Sequence, residues 1–222
     1  MQTIEEIQSQ FKNQDLFDQA LTHRSWVNEH KGQRSSNERL EFLGDAILEF
    51  IVSREIYSMF PDKEEGYLTA LRANIVNTIA LSEVALNLNL GTKIYLSKGE
   101  EDGGGRQNSS LLADTVEAII GALFIDSGLE SSEKFIKQNL LINVDEKSKS
   151  SLKDAKSQLQ EYVQAQGLIT PKYNVISSVG PDHNKIFTIE VMVGEKTYGT
   201  GEGKSKATAE QEAAKNALSM LQ

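Results

Sequence analysis

Two stretches of the sequence place carboxylates on otherwise apolar segments. In NERLEFLGDAILEFIVSREIYSMF (37–60), Glu38, Glu41, Asp45 and Glu49 recur at intervals of three or four. At about 100° per residue on a helix, Glu38, Glu41 and Asp45 fall within about 60° on one face. Glu49 extends that stripe. Leu40, Leu43, Ile47, Phe50 and Ile51 fill the opposite arc, as expected of a central helix. In SSLLADTVEAIIGALFIDSG, Asp114 and Glu117 stand at i and i+3, hence on one face, among Leu112, Val116, Ile119, Ile120 and Leu123. Ala118, Gly121 and Ala122 are small enough there to admit a second backbone. A third acidic element, Glu64 and Glu65, precedes Gly66 at an expected helix start, where it also complements the helix dipole.

Carboxylates beside an apolar body are costly unless a cation compensates them. Mg²⁺ takes oxygen ligands in near-octahedral geometry. Two such ions can activate water and stabilise a leaving oxygen in phosphodiester cleavage. Spacing alone leaves two other readings open: solvated acid stripes, and a different metal–carboxylate centre. A di-iron bundle would carry Glu-x-x-His pairs, and the sequence has none. There is no Cys, and His23, His30 and His183 are far apart, so any metal must be held by oxygen. His23 has no neighbouring partner in sequence. It is expected to be a packed or hydrogen-bonded helix residue, not a general base.

The segments that must position these acids are helical. Apolar spacing predicts helices over 3–11, 15–22, 36–60, 66–89, 109–127 and 130–143. The character then changes. After a polar run at 144–151, a helix over 152–166 ends at Gly167. The runs YNVISSVG, KIFTIEVMVG and KTYGTGEG alternate as strands, and a last helix covers 205–221. The expected fold is therefore an all-α domain (1–143), a linker (144–151) and a small α+β domain of order α-β-β-β-α (152–222). No apolar run approaches the ~20 residues that span a bilayer, and the acidic, polar N-terminus does not read as a signal peptide.

The chain has 222 residues and a net charge of -9, which taken whole argues against a nucleic-acid partner. The distribution says otherwise. Residues 1–150 hold 24 acids and 15 bases, whereas residues 151–222 hold 8 of each. The acidic excess thus belongs to the half that carries the carboxylate stripes.

These residues carry a family resemblance. NERLEFLGDAILE resembles the signature of the ribonuclease III family. LTHRSW, EEGYLTALRANIV and GGGRQNSSLLADTVEAIIGALFIDSG resemble further family blocks in the family's order. LKDAKSQLQEYVQAQG, PKYNV, GPDHNKIFTIEV and GEGKSKATAEQEAAKNAL resemble a double-stranded-RNA-binding domain. Together they cover essentially the whole chain, in a two-domain layout like that of the bacterial enzymes.

The resemblance implies a Mg²⁺-dependent endoribonuclease, with Mn²⁺ able to substitute. It would cut both strands of double-stranded RNA to 5′-phosphate and 3′-hydroxyl ends with short 3′ overhangs. Cytoplasmic processing of ribosomal RNA precursors and messenger RNA is the family expectation. The family's catalytic acids map onto Glu41, Asp45, Asp114 and Glu117 as metal ligands, Asp45 and Glu117 foremost, so the attacking group would be water. Glu38 and Glu65 match the two supporting acidic positions. Phe42, beside the acid stripe, matches a contact in a homodimer formed through the nuclease domain. Gln158, Glu161, His183, Lys204 and Lys206 match RNA contacts, the last two where the final helix meets phosphate. No membrane and no small organic cofactor is implied. Ala207 departs from the family, which often has another Lys there, and all eight bases of the C-terminal half are Lys. The alternative is a non-catalytic binder of double-stranded RNA; degenerate relatives of that kind lose acids, and this chain keeps all six.

Overall fold

The computed structural model describes residues 3–142, 144, 155–181 and 185–221. The chain divides into two compact units, Met1–Leu152 and Lys153–Gln222.

Short polar residues start most helices of the first unit. Its order is α1 (Ile4–Gln8), α2 (Gln14–Ala20), α3 (Arg24–Glu29), α4 (Glu38–Met59), α5 (Glu65–Val76), α6 (Thr78–Asn87), α7 (Lys98–Asp102), α8 (Ser109–Ser127) and α9 (Leu129–Asn139). Thr3, Asn13, Asn77, Ser97 and Asn108 each accept a first-turn backbone N–H, which satisfies donors that a helix start leaves open. The axis of the unit is α8, buried at Leu111, Leu112, Ala113, Thr115, Val116 and from Ala118 to Leu123. α2, α4, α6 and α9 pack around it.

The sequence pattern made 37–60 a central helix. Instead α4 flanks α8, burying Leu40, Ile47, Leu48, Ile51, Val52 and Ile56 while leaving Phe42 81%, Phe50 54% and Tyr57 73% exposed. Its second apolar stripe faces outward, so its all-round apolarity overstates its burial. The expected helix over 66–89 is two helices. Asn77 adopts an extended conformation (ψ 161°), and its side chain accepts Ala80 N–H at 2.9 Å. The short α3 and α7, six and five residues, carry too few turns to show an apolar repeat.

The second unit comprises α10 (Ala155–Ala165), β1 (Lys172–Val179), β2 (Ile186–Val193), β3 (Lys196–Gly203) and α11 (Lys206–Leu221). The strands form one antiparallel sheet in the order β1-β2-β3, with Val191 opposite Tyr173 and Gly199. Ile189, Val191 and Val193 alternate inward, and Leu159, Val163, Ala213, Ala214 and Ala217 complete the core. α11 lies directly on β3. A Cβ at Gly199 would come within 2.5 Å of the Ala213 carbonyl, and one at Gly201 within 2.2 Å of Ala213 N. The GTGEG run is therefore a close-approach surface for an alanine-faced helix. Among the described residues no helix is long and apolar enough to cross a membrane.

Candidate active site

Two glycines set the site. At the α4–α8 crossing, a Cβ on Gly44 would lie 1.8 Å from the Glu117 carbonyl, and one on Gly121 2.2 Å from the Leu40 carbonyl. No side chain fits at either point, so the two backbones touch. Glu41 and Glu117, next to this contact, are thereby brought face to face. The start of α4 is pinned independently. Buried Asn37 donates its backbone N–H to the Thr22 carbonyl (2.9 Å) and its side-chain amide to the Ala20 carbonyl (3.3 Å).

Carboxylate oxygens of Glu41, Asp114 and Glu117 lie within 4.8 Å of one another. All three side chains are half-buried. Burial raises the Glu117 carboxyl to about 7, assisted by the charges of Asp45, Asp114 and Glu41. Burial likewise raises Glu41, with further contributions from Asp114, Glu38 and Asp45. Asp114 is raised by burial and partly relieved by His23. Like charges pressed together in a desolvated pocket are unstable as anions, and a divalent cation would compensate them. Ligands around one Mg²⁺ lie ~3–4 Å apart, given its ~2.1 Å bonds, so the three-oxygen cluster is of the right size and chemistry.

The structure does not gather all the expected acids equally. Asp45 is exposed and lies outside the close triplet, although its charge acts on Glu41 and Glu117. Glu38 is one turn before Glu41, exposed, and held by Arg24 Nη1 (3.2 Å) and the Ser36 hydroxyl (2.9 Å). Glu65 opens α5, where its carboxylate accepts the Thr69 hydroxyl (2.9 Å) and lines a cavity of about 340 Å³ with Ile56 and Tyr57. Ile56 is fifteen residues along α4 from Glu41, about 22 Å at 1.5 Å per residue; Glu65 is apart from the cluster within one copy. Glu49 is ion-paired with Arg72 (2.8 Å), tying α4 to α5, and is not simply solvated.

Two neighbours carried no clear signal in sequence. His23 caps α3: its Nδ1 accepts the Ser25 backbone N–H (3.2 Å) and meets the Ser25 hydroxyl (2.8 Å). Its backbone N–H donates to the Tyr95 carbonyl (3.1 Å), which ties this turn to the strand-like segment at Tyr95. Arg24 follows it on α3. Behind them Arg34 packs over the Tyr95 ring at 4.3 Å and pairs with Asp18 at 2.7 Å, fixing the loop that leads into α4.

In the second unit, Gln158 is half-buried and Glu161 exposed on α10, one turn apart. Lys204 and Lys206 are exposed where α11 begins, and the Ser205 hydroxyl accepts Thr208 N–H (3.1 Å). The Lys156–Glu210 ion pair (2.6 Å) sets α10 beside the early turns of α11. His183 lies outside the described residues.

Comparison with known proteins bears on both units. Residues 13–144 match the family model described as ribonuclease-III-like, and residues 155–221 the double-stranded RNA binding motif. Ribonuclease 3 of Roseiflexus sp. (strain RS-1) is 46% identical over 221 residues, covering 96% of this chain and 91% of its own. The chain belongs to the ribonuclease III family. Ribonuclease 3 of Bacillus licheniformis is likewise 46% identical, over 98% of this chain and 88% of its own. A solved nuclease domain of ribonuclease III from Campylobacter jejuni, described for flexibility in a region involved in dimer formation, covers 63% of this chain and 100% of that one. It aligns at TM-score 0.56 and 38% identity. Membership of the ribonuclease III family explains why a carboxylate cluster that could hold a metal ion and a double-stranded-RNA-binding unit occur in one chain.

Proposed function

We propose that this ribonuclease III family member is a Mg²⁺-dependent endoribonuclease that cleaves both strands of double-stranded RNA at the α4–α8 carboxylate cluster. The observation that carries this is the convergence of Glu41, Asp114 and Glu117 within 4.8 Å, with Glu117 raised to about 7. Glu117 and Asp45 are assigned the leading catalytic roles, and Glu41 and Asp114 complete the metal-holding set. When bound, Mg²⁺ (or Mn²⁺) supplies Lewis acidity and a water nucleophile for phosphodiester hydrolysis. A P–O bond to water forms as the P–O3′ bond breaks, leaving 5′-phosphate and 3′-hydroxyl ends. The chain's own contribution is to hold the carboxylates close and rigid across the glycine crossing, and to keep Glu38 at the margin.

We assign a nuclease domain to 1–143, a linker to 144–151 and an RNA-binding domain to 152–222; the division of the chain after Leu152 supports this order of two domains, although Val144 packs in the core of the first unit. The exposed α4 stripe of Phe42, Phe50 and Tyr57 supports homodimerisation, with Phe42 as a contact; aromatic exposure on this scale marks an interface. Antiparallel pairing along that stripe would carry Glu65 of one copy toward the Glu38 end of the other. Gln158, Glu161 and His183 are assigned to minor-groove contacts, and Lys204 and Lys206 to phosphate. Ribosomal RNA precursors and messenger RNA in the cytoplasm complete the reading.

Glu117→Gln tests it. Cleavage of a long RNA duplex in Mg²⁺ should fall by on the order of 10³-fold or more, with duplex binding retained. A wild-type chain that binds duplex but never cuts it would instead favour the non-catalytic binder.

A further inference from the structure

The charges acting on Glu41, Asp114 and Glu117 are those of other acids and of His23. A polyanion approaching this cluster is repelled by its carboxylates. On α3, directly after His23, Arg24 reaches across to Glu38 (Nη1–Oε1 3.2 Å), and the Ser36 hydroxyl holds the other Glu38 oxygen at 2.9 Å. Glu38 is i-3 from Glu41 on α4, and side chains so spaced are neighbours on a helix face, about 5–6 Å apart at Cβ. Arg24 therefore stands at the rim of the cluster, between the element that carries His23 and the one that carries Glu41.

The rim pair is open. The Arg24 and Glu38 side chains are 69% and 51% exposed, so water and salt screen their attraction and little is lost when it breaks. By contrast, the cations Arg54 and Lys137 are committed to the Glu55–Glu133 network that joins α4 to α9, and Arg34 to Asp18 and Tyr95. Arg39, next along from Glu38, lines a groove with Glu38, Leu16, Leu43 and Ile125, and at about 100° per residue it is turned about 120–160° away from Glu41 and Asp45 on α4. Guanidinium forks match phosphate oxygens in two parallel hydrogen bonds.

We propose that Arg24 is a positioning residue for the RNA backbone. It is parked on Glu38 in the free protein and exchanges that carboxylate for a backbone phosphate beside the one being cut. This rests on the ribonuclease reading of the α4–α8 cluster. The exchange releases Glu38 and places one positive charge where the strand passes the rim.

The test uses the full-length chain with Arg24→Gln, Arg24→Lys and, as a charge-loss control, Lys134→Gln on α9, whose side chain is exposed. Single-turnover cleavage of an RNA duplex in Mg²⁺ is followed against enzyme concentration and KCl, with duplex binding measured in parallel. For Arg24→Gln the half-saturating concentration should rise about 5–10-fold, and the log–log salt slope should shrink by about 1, as for loss of one phosphate contact. The maximal rate should stay within about 2-fold, since no transition-state contact is removed. Arg24→Lys should keep the slope while recovering part of the affinity. The idea is overturned if Arg24→Gln matches Lys134→Gln in half-saturation and slope. It is equally overturned if Arg24→Gln and Arg24→Lys both lower the melting temperature and the maximal rate with an unchanged slope, which is the signature of a structural ion pair. Absence of cleavage by the wild-type chain would strike the ribonuclease reading instead, and the binding slopes would still decide the role of Arg24.

Discussion

The two units take on one polyanion in opposite ways. In the nuclease unit the side chains proposed to hold the metal are acidic, and the triplet Glu41, Asp114 and Glu117 is half-buried and fixed by backbone contact between α4 and α8. In the RNA-binding unit the side chains proposed to meet RNA are largely exposed, and Lys204 and Lys206 sit at a helix start with no burial to direct them. The first arrangement demands geometry, because three carboxylates within 4.8 Å repel one another unless a cation joins them. The second demands only charge in the right neighbourhood. Substitutions should therefore act steeply and together in the first unit, and mildly and additively in the second.

The sharpest way to break this contrast is at the crossing, not at a carboxylate. Gly44→Ala would put a Cβ 1.8 Å from the Glu117 carbonyl, so α4 and α8 must separate. Overpacking of this kind costs about 1–3 kcal/mol or more, and it moves Glu41 away from Glu117. The expected outcome is a lowered melting temperature and a loss of cleavage of about 100-fold or more, since misplacement by about 1 Å can cost that much. Duplex binding by the second unit should persist. Near-normal cleavage by Gly44→Ala would show that the cluster tolerates slack, and the contrast would fail.

What the sequence made legible follows the same division. The acids were readable because carboxylates on apolar helices stand out, and the helical period put them on shared faces. Periodicity could not say which would meet: Asp45 belongs to the stripe yet sits outside the close triplet, because the crossing point at Gly44 and Gly121 selects the residues facing it. Gly121 was visible as a small residue, but Gly44, within a leucine-rich signature, was not. The break at Asn77 was not legible, because apolar spacing continues through it; the cap on Ala80 N–H is a feature of the structure. In the second unit the alternation of β1, β2 and β3 was plain, whereas the reason for Gly199 and Gly201 appears only when α11 is seen lying on them.

A second, smaller effect separates the units by pH. The Glu117 carboxyl is raised from 4.5 to about 7, so the folded state holds its proton where the unfolded chain has lost it. By linkage, metal-free stability should be unaffected by this group below about pH 4.5 and should decline as pH rises from there to about 7. After allowance for solvent screening of a half-buried group, the decline amounts to about 1–2 kcal/mol. Thermal unfolding in a chelator should show it. Glu117→Gln should remove this part of the decline and be the more stable protein at pH 8. Added Mg²⁺ should restore the wild type selectively, because a cation binds the ionised cluster. If Mg²⁺ stabilised Glu117→Gln as much as the wild type, ion binding at this cluster would be ruled out as the cause.

The smallest expected effect lies in the second unit. Removing Lys204 and Lys206 together deletes two exposed charges that no described ion pair engages and that contribute little to folding, so the melting temperature should not move. Duplex affinity at moderate salt should fall about 10-fold, and the salt slope should lose about 2 in magnitude, as for two phosphate contacts. The single variants should each supply about half, because separated surface contacts add. The eight bases of this half are all Lys, compact charges without the guanidinium fork, so lowering KCl should raise the double variant's absolute affinity while its deficit against the wild type at equal salt persists. That rise is the contrast with Glu117→Gln, whose cleavage no salt concentration should rescue. Affinity unchanged at low salt for the double variant would mean that the RNA path runs elsewhere on the unit.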